Sequence, residues 1–403
     1  MRLLFLCSQP PHPATNGAAQ RLFHHVRALA ERHEVTLAYV QGSGSHHPQL
    51  DTGCARVLEL PTRARRISHN RVGLPATVRL HDLFGSARPA EIQEWRAPDI
   101  IEAIERDLSR QAFDFTWIER AYVASAARSV GILANVLDMD DVDSDAFVRR
   151  VRSLGWYKSR PIDELEAVKL RAYEWQLTRV YRAIAVCKEQ DRRFFCHPQR
   201  VHVLPNGAEL PTPQGDDPHR DLDLLFVGNM SYWPNADAAA WFAQDVLPLI
   251  RREHPLCMFG VAGRQASSFA ERLTDTPNCT VISDPPSLAP VYARAKVVVV
   301  PMRQGSGTSV KTLEALAYRK AVVATPIVAG GLGLIHGEHA LIASDASDFA
   351  SMCCRLLEDS ALASSLGVVG RSHVAERFSW ERCAKGAVDL VDTVRRKQLG
   401  HAQ

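Results

Sequence analysis

Short apolar runs alternate with longer amphipathic segments along almost the whole chain. In the first half, the runs that predict buried strands lie at 3–7, 35–40, 55–60, 115–118, 132–138 and 183–185. Residues 20–32 place Leu22, Val26 and Leu29 at i, i+4 and i+7, which predicts a helix, and a second helix is predicted over 165–181. A strand, a loop, a helix and a strand in this order form a βαβ unit, whose strands pair in parallel.

The second half repeats the plan. Strands are predicted at 224–227, 258–262, 280–282, 297–300 and 321–324, and helices over 236–250, 288–293 and 310–319. The polar, Pro-rich segment 211–221 has the composition of a linker. Since 403 residues exceed one typical core, the pattern predicts two doubly wound, Rossmann-like α/β domains facing each other across a cleft. The first covers 1–205, with a closing helix at 379–403 packing back on it, and the second covers 206–378.

Composition narrows the class of protein. With 46% hydrophobic and 23% charged residues, the chain is globular and not disordered. Residues 1–205 contain 29 Lys+Arg and 24 Asp+Glu, a net +5 against the +3 of the whole chain. No basic stripe interleaves with aromatic residues, which argues against nucleic acid as a partner. The basic clusters at 63–66 and 149–152 fit either a solvated face or weak attraction to an anionic membrane or acidic acceptor.

The nine cysteines include no Cys-x-x-Cys pair, so they indicate reduced thiols of a cytoplasmic protein and not a zinc site or a disulfide framework. The apolar start, residues 1–7, is too short for a signal peptide. No uncharged apolar stretch reaches about 18 residues, so no membrane span is expected.

The stretch 305–314 carries the strongest chemical signal. The run Gly-Ser-Gly-Thr at 305–308 lies between a predicted strand and a predicted helix, where free backbone N–H groups and the helix dipole favour a phosphate. Lys311 then lies in the first helical turn, where a cation is disfavoured by ~0.3–1 kcal/mol unless an anion binds there. Glu314, three residues later on the same face, could accept hydrogen bonds from ribose hydroxyls.

Each of these features has a structural alternative. The glycines at 305 and 307 could form only a strand–helix turn, Lys311 could be a surface lysine, and Glu314 an exposed helix residue. Asn16 and Gly17 could form a plain turn or let the backbone approach a donor. Gly228 could simply end a strand.

Several landmarks together resemble one known family. They are 11–17, Pro-Asn-Gly at 205–207, Phe-Val-Gly-Asn-Met at 226–230, 301–325, and Phe-Ser-Trp at 378–380. In this order and spacing the whole chain resembles the retaining glycosyltransferases of family 4, which have the GT-B fold, and within them the bacterial sugar transferases of exopolysaccharide and glycoconjugate assembly.

The resemblance implies transfer of a sugar from a nucleotide diphosphate sugar to an acceptor, with the donor on the second domain, the acceptor on the first, and no metal or other cofactor. The acceptor would be lipid-linked or a glycan, and the protein cytoplasmic, with peripheral contact to the inner face of the membrane through its first domain. The donor-binding residues would be Gly17, Gly228, Asn229, Arg303, Gly305, Ser306, Gly307, Thr308, Lys311 and Glu314.

The chain also departs from the family pattern. The first of two family glutamates falls on Ser306, and an Arg and a Lys of the family fall on Asn229 and Asn235. The diphosphate would then depend on Lys311 and Arg303. The nucleotide base would lie near 282–285.

On the acceptor side, a family histidine has no clear match. Glu119, Asp138 or Asp140 could replace it, and we place Asp140 beside Lys311 and Glu314 as a catalytic candidate. The aspartates at 138–145 would otherwise be a solvated acidic loop, and they lack the Gly and terminal Glu of a calcium loop.

Three rival functions remain open at this stage. A nucleotide-sugar epimerase of the same fold would need no acceptor. A non-catalytic descendant would bind nucleotide without turnover. A dinucleotide-dependent oxidoreductase is disfavoured, because no Gly-x-Gly-x-x-Gly follows the first strand.

Overall fold

The computed structural model describes residues 1–12, 16–42, 52–62, 87–154, 156–157, 159–212, 220–273, 276–305 and 308–400. The chain divides into two compact units. Unit 1 comprises Met1–Pro205 and Cys383–Gln403, and unit 2 comprises Asn206–Arg382.

Unit 1 contains, among its described residues, a seven-stranded parallel sheet. Its strands are β1 (Arg2–Cys7), β2 (Glu34–Gly42), β3 (Arg56–Thr62), β4 (Phe115–Glu119), β5 (Val136–Asp140), β6 (Ala183–Val186) and β7 (Val201–Val203). Their order across the sheet is β3-β2-β1-β4-β5-β6-β7. Strands β4 and β5 are buried along their whole length, which explains why parallel strands appear in the sequence as continuous apolar runs.

Helices cover both faces of this sheet. They are α1 (Gly17–Ala30), α2 (Ala90–Glu94), α3 (Pro98–Leu108), α4 (Ala121–Ser129), α5 (Asp143–Ser153), α6 (Arg160–Val180) and, near the end of the chain, α15 (Trp380–Gly400). Ile104 and Val123 belong to the core on one face, and Leu22 and Val391 to the core on the other. Helix α1 begins where Asn16 accepts a hydrogen bond from the Ala19 N–H at 2.9 Å.

Unit 2 has the same plan with one strand fewer among its described residues. Its strands are β8 (Leu222–Val227), β9 (Phe259–Gly263), β10 (Cys279–Ser283), β11 (Ala295–Val300), β12 (Ala321–Ala324) and β13 (Leu341–Ile342). They are all parallel, in the order β10-β9-β8-β11-β12-β13. Its helices are α7 (Trp233–Trp241), α8 (Leu247–Glu253), α9 (Ser267–Ala270), α10 (Ala289–Arg294), α11 (Val310–Ala317), α12 (Pro326–Leu332), α13 (Ala346–Glu358) and α14 (Ser360–Arg377).

The fold class predicted from the sequence, two doubly wound parallel α/β domains, is confirmed. Several element bounds differ from the prediction, among them the start of α6, which is Arg160 and not residue 165. Strand β5 begins at Val136, not at residue 132. The helix predicted over 236–250 is two helices joined by a π-helical turn, Phe242–Val246. Pro248 near the start of α8 explains the break, since a proline lacks the N–H and its ring clashes with the carbonyl four residues earlier.

Candidate functional site

The site in unit 2 lies where the strand order of its sheet reverses. Strands β8 and β11 are neighbours in space, but the chain proceeds to opposite edges of the sheet from them. In open parallel sheets, ligands bind outside the carboxyl ends of the strands at this point. Gly228 and Asn229 directly follow β8, and the segment leading to α11 follows β11. Most of the predicted donor-binding residues lie on these two segments.

Lys311 lies in the first turn of α11. Its Nζ donates a hydrogen bond to Asn235 Oδ1 at 2.5 Å and lies 5.6 Å from the centroid of the Phe226 ring. Desolvation lowers the pKa of Lys311 to about 8, and the Glu314 carboxylate opposes that shift. The helix start therefore holds a partly buried amine that a neutral amide positions and that an incoming anion would favour in its charged form.

Two glycines bring the backbone of this site together. A Cβ on Gly228 would lie 2.8 Å from Asn235 Nδ2, and a Cβ on Gly263 would lie 2.3 Å from the Gly228 carbonyl oxygen. Asn235 Nδ2 in turn donates to the Asn229 carbonyl at 2.9 Å. Gly228 therefore does more than end a strand. A side chain at this position would collide with the Asn235 amide that holds Lys311.

Asn235 is a residue whose role the sequence did not reveal. It stood out only as a neutral replacement for a family cation, yet it holds Lys311 from 76 residues away. The side chain of Asn229 has a more local use, since its Oδ1 accepts from the N–H of Ser231 at 3.0 Å and from the Ser231 hydroxyl at 2.8 Å.

Glu314 lies one turn after Lys311 and interacts with a buried tyrosine. The Tyr292 side chain is fully buried, and its ring stacks on that of Tyr318 with the centroids 4.7 Å apart. Burial, and then the Glu314 carboxylate, raise the pKa of Tyr292 well above its usual value. The partly exposed Glu314 carboxylate therefore approaches a phenol that stays neutral. Its proposed contact with ribose stays a prediction.

The other predicted donor ligands have mixed positions. Arg303 forks onto Asp237, with Nη2 2.6 Å from Oδ1 and Nε 3.2 Å from Oδ2, so a diphosphate would have to draw it from that ion pair. Thr308 is buried just before α11, and Gly305 lies in the loop before it. Gly17 is the first residue of α1 in unit 1. Ser306 and Gly307 lie outside the described residues, and so does the centre of the predicted phosphate turn.

Unit 1 has its own strand reversal, between β1 and β4. Glu119, at the end of β4, connects the two strands there by accepting from the backbone just after β1. One carboxylate oxygen accepts from the Ser8 N–H at 2.9 Å, and the other accepts from Arg120 Nε at 3.0 Å. Glu119 is therefore used in joining strand ends, which weakens it as an acceptor base.

Asp138 is used structurally as well. It accepts from Arg21 Nη2 at 2.8 Å, and His25 Nδ1 lies 3.5 Å from its other oxygen. All three side chains are buried. Burial alone would raise the pKa of Asp138, but Arg21 and then His25 hold it far below its usual value. A carboxylate stabilised so strongly as an anion is a poor proton acceptor.

Asp140 differs from both neighbours. Burial, with the Asp141 charge, raises its pKa to about 6, although Arg21 and Arg120 oppose the shift. Its φ of 56° is left-handed, Arg120 at the end of the adjacent strand has φ 67°, and the register of β5 against β6 shifts between Asp138 and Asp140. Strain and a raised pKa at a strand end are typical of functional sites. Of the three candidate bases, Asp140 has the most suitable environment.

The acidic run around Asp140 is less solvated than a loop would be. Asp143 lies 3.4 Å from Arg120, and Asp145 2.7 Å from Arg149. Among the described residues, one group could hold a metal ion, formed by Asp140, Asp141 and Cys187. The Cys187 thiol donates to Asp141 at 3.3 Å. The expectation that no metal is needed stays a prediction.

Glu174, a buried acid hydrogen-bonded to the start of α5, allows the effect of burial on a carboxyl pKa to be tested. Glu174 is fully buried and accepts from the Ser144 N–H, and burial, followed by the charge of Asp143, raises its pKa to about 8. Since the folded state then keeps a proton that the unfolded state releases above pH 4.5, this group makes stability fall as pH rises from 4.5 to about 8. We expect Glu174→Gln to raise the free energy of unfolding by ~1–3 kcal/mol at pH 8 and not at pH 4.

Guanidinium chloride unfolding across this pH range measures the effect. Glu164→Gln on the same helix is the matched control, because Glu164 is exposed and pairs with Arg160 at the surface. A gain at pH 8 that persists unchanged at pH 4, or that the control shares, would contradict the assignment.

Residues 221–359, which include β8, β11 and Lys311, match a known sequence family. That family is the glycosyl transferases group 1. A Klebsiella pneumoniae protein named "Uncharacterized 44.6 kDa protein in cps region" is also similar in sequence. It is 30% identical over 138 residues, which are 32% of this chain and 36% of the relative. The match thus spans about a third of that protein's length.

Solved structures resemble the whole chain. Sucrose-phosphate synthase from Thermosynechococcus elongatus superposes with a TM-score of 0.72 at 17% identity, over all of both chains. WaaG, a glycosyltransferase involved in lipopolysaccharide biosynthesis, gives 0.65 at 14% over 96% of this chain and 98% of its own. Anabaena HepE with UDP and glucose gives 0.64 at 12% over 98% and 100%. The fold is therefore that of GT-B glycosyltransferases.

Within the described residues, no helix combines the length and the apolar composition needed to cross a bilayer.

Proposed function

We propose that this chain transfers a sugar from a nucleotide diphosphate sugar to an acceptor hydroxyl, with retention of the anomeric configuration, in glycoconjugate biosynthesis. The group 1 match over 221–359 supports sugar transfer. The glycoconjugate context is supported by the fold of WaaG and by the cps-region relative from Klebsiella pneumoniae. We place the chain in family 4 on the landmarks in its sequence.

One observation carries the proposal. At the strand reversal of unit 2, the Lys311 amine is held by Asn235 at the start of α11, and burial lowers its pKa to about 8. A desolvated cation at a helix N-terminus is costly without an anion and favourable with one. A diphosphate supplies that anion.

The chain's residues then have distinct tasks. As the bond between the anomeric carbon and the diphosphate oxygen lengthens, negative charge grows on the leaving group. Lys311 and the N–H groups at the start of α11 stabilise this charge, which lowers the barrier. Glu314 accepts hydrogen bonds from the ribose hydroxyls. The turn after β10 lies against the base, where Asp284 already accepts from the Gln265 N–H at 3.1 Å.

The acceptor hydroxyl attacks the oxocarbenium-like centre from the face that the diphosphate leaves, which retains the configuration. Its proton passes to the departing phosphate or to Asp140. With a pKa of about 6, Asp140 is ionised at pH 7 yet close enough to that pH to accept a proton. No metal is needed in this scheme, and transfer should therefore persist in EDTA.

A uridine nucleotide is the first donor to test, because HepE structures contain UDP and UDP-glucose and a TarM structure contains UDP. The shift in melting temperature caused by UDP, GDP or ADP shows which nucleotide the protein binds. A ligand at 100 times its dissociation constant stabilises by about 2.7 kcal/mol, a readily visible shift. We expect one of the three to stand out, with UDP the leading candidate.

The reaction itself is tested by proton NMR of the product formed from the selected nucleotide sugar and a panel of lipid-linked and glycan acceptors. An acceptor-dependent product with the anomeric coupling of the donor supports the proposal. A new sugar configuration without any acceptor would identify an epimerase. Nucleotide binding without turnover across the panel would identify a non-catalytic binding protein.

The site of action is also a proposal. The odd number of cysteines, several of them in apolar runs, favours reduced thiols and so a cytoplasmic protein, and the basic clusters of the first domain favour peripheral contact with the inner face of the membrane.

A further inference from the structure

Exposed apolar side chains are concentrated in one short segment of unit 1. Among the described residues, fourteen large hydrophobic side chains are exposed, and six of them lie between residues 154 and 180. These six are Leu154, Trp156, Leu165, Val168, Trp175 and Val180. They include both exposed tryptophans, of which Trp156 is 79% exposed. An apolar concentration of this kind indicates an interaction surface, whereas single exposed side chains do not.

Three of these side chains share one face of α6. Leu165, Val168 and Trp175 are spaced by three and seven residues, which places them in one row along the helix. The opposite face carries Leu170 and Leu177, which are buried. Leu154 and Trp156 lie in the connection that leads from α5 into α6.

Charge is sorted between the same two faces. Residues 149–182 contain nine Lys+Arg and four Asp+Glu. Three of the four acids point inward and are hydrogen-bonded there: Asp163 accepts from the Tyr157 hydroxyl, Glu166 from the Ala90 N–H, and Glu174 from the Ser144 N–H. The fourth, Glu164, is exposed and paired with Arg160. Arg152, Arg179 and Arg182 are exposed. The outer side of the segment is therefore apolar with a net positive charge.

We propose that this outer side, hereafter the 154–180 surface, docks onto an anionic lipid bilayer. Tryptophan is enriched at the boundary between lipid and water, where its ring is apolar and its N–H remains hydrated. The exposed cations Arg152 and Arg179 would face the lipid phosphates, and the Arg179 guanidinium already lies 5.0 Å from the Trp175 ring centroid.

A second copy of the chain is a poorer occupant. Two copies that met through this surface would oppose the same basic side chains, and the inward acids would offer them no counter-charge. A bilayer containing phosphatidylglycerol supplies both the apolar depth and the negative charge. Docking does not depend on sugar transfer. If the proposed function also holds, docking would bring the acceptor site of unit 1 to lipid-linked acceptors.

Vesicle co-sedimentation of the full chain tests the proposal. We expect pelleting with phosphatidylcholine vesicles that contain phosphatidylglycerol, little pelleting with phosphatidylcholine alone, and a loss of pelleting as salt rises. Changing both tryptophans, as Trp156→Ser with Trp175→Ser, should lower vesicle affinity by ~10-fold or more. Leu256→Ser is the matched control, because Leu256 is 83% exposed and belongs to unit 2, outside the 154–180 surface.

Nucleotide-induced thermal shift, measured on the same variants, separates this proposal from the proposed function. A double variant that keeps the nucleotide shift and loses vesicle binding supports docking. Vesicle binding that is unchanged in the double variant, or equally weakened in the Leu256 control, overturns it. So does sedimentation velocity showing a dimer that only the double variant abolishes, which would assign the surface to a second copy.

Discussion

Replacement of Lys311 by methionine is expected to lower kcat/KM for sugar transfer by ~10²–10³-fold. Methionine keeps most of the side-chain volume, so the packing near Phe226 changes little, and the change removes the charge that neutralises the leaving diphosphate. The loss should fall on both the donor KM and kcat, because the diphosphate is already charged in the bound donor and gains further charge as the sugar leaves. Steady-state kinetics with the donor chosen by thermal shift provide the measurement.

A second buried lysine provides the control. Burial lowers the pKa of Lys320 to about 8 as well, but its Nζ donates to the backbone carbonyl of Ala295 at 3.0 Å. Lys320→Met should therefore destabilise unit 2 without a specific loss of turnover in the folded protein. If Lys311→Met transfers sugar as well as the parent, or if both variants lose activity equally at matched stability, the proposed role of Lys311 is wrong.

The pH dependence of donor binding sharpens the same prediction. In the free protein, Lys311 loses its proton as pH rises through about 8. The charged form binds the diphosphate, so donor affinity should fall by ~10-fold per pH unit above 8, with proton uptake on binding. In Lys311→Met this decline should disappear. Calorimetry in buffers of different ionisation enthalpy measures the uptake directly.

Stability cannot serve in place of affinity in that experiment. Because the folded-state pKa of Lys311 lies below its usual 10.5, the unfolded state binds more protons between pH 8 and 10.5, and this group makes stability rise over that window. Lys320 contributes in the same direction. Only nucleotide affinity distinguishes the two amines.

The sheets could be predicted from the sequence because a parallel strand buried on both faces leaves an unmistakable apolar run. The run of valines in β11 and the fully buried β4 are examples. Helix interruptions were harder to predict. The effect of Pro248 depends on whether a carbonyl four residues earlier can turn aside, as it does in the π-helical turn. Periodicity alone does not contain that information.

The candidate site was predictable only in its local part. Lys311 and Glu314 stood out because they lie three residues apart after a glycine-rich turn. Their partners come from distant parts of the chain, since Asn235 and Tyr292 meet them only when α7, α10 and α11 assemble. Arg303 looked available in the sequence, but it pairs with Asp237. Long-range pairing of polar groups has no signature in one sequence.

The outer face of α6 shows an intermediate case. The sequence predicted this helix, and its charges could be counted, but a count does not show which side chains face the core. Inward placement of Asp163 and Glu174 depends on donors at Tyr157 and Ser144, which precede the helix. Once those acids are turned inward, the excess of basic residues becomes a property of the surface, which is why the 154–180 surface emerged only from the structure.

The largest stability effect is expected at Arg21. Its guanidinium donates to Asp138 and, at 2.6 Å, to the Leu204 carbonyl, and it is 1% exposed. Arg21→Met leaves the Asp138 charge buried and uncompensated, so we expect a loss of ~3–5 kcal/mol in the free energy of unfolding at pH 7. Arg27→Met, at an exposed position of the same helix, should change stability by less than ~0.5 kcal/mol.

The pH dependence of Arg21→Met should have the opposite sign to that of the parent. In the parent, Arg21 and His25 hold the pKa of Asp138 below its unfolded value, so its stabilisation is present above pH 4 and is lost as pH falls. In the variant, burial without the guanidinium raises that pKa, so the deficit should shrink as pH falls towards 4 and Asp138 becomes neutral. Guanidinium chloride unfolding, with hydrogen exchange of β5 to localise the effect, measures it.

A double variant decides whether the loss reflects the charge or only the missing side-chain volume. Combining Arg21→Met with Asp138→Asn removes the uncompensated carboxylate and should recover a large part of the loss, because two neutral groups no longer bury a lone ion. If the double variant is as unstable as the sum of the single changes, the two residues act independently and the ion pair does not organise the strand ends. Recovery would instead mean that the Asp138 charge is tolerated only through Arg21. Asp140 could then keep its raised pKa two residues away because Asp138 already takes the stronger share of that guanidinium.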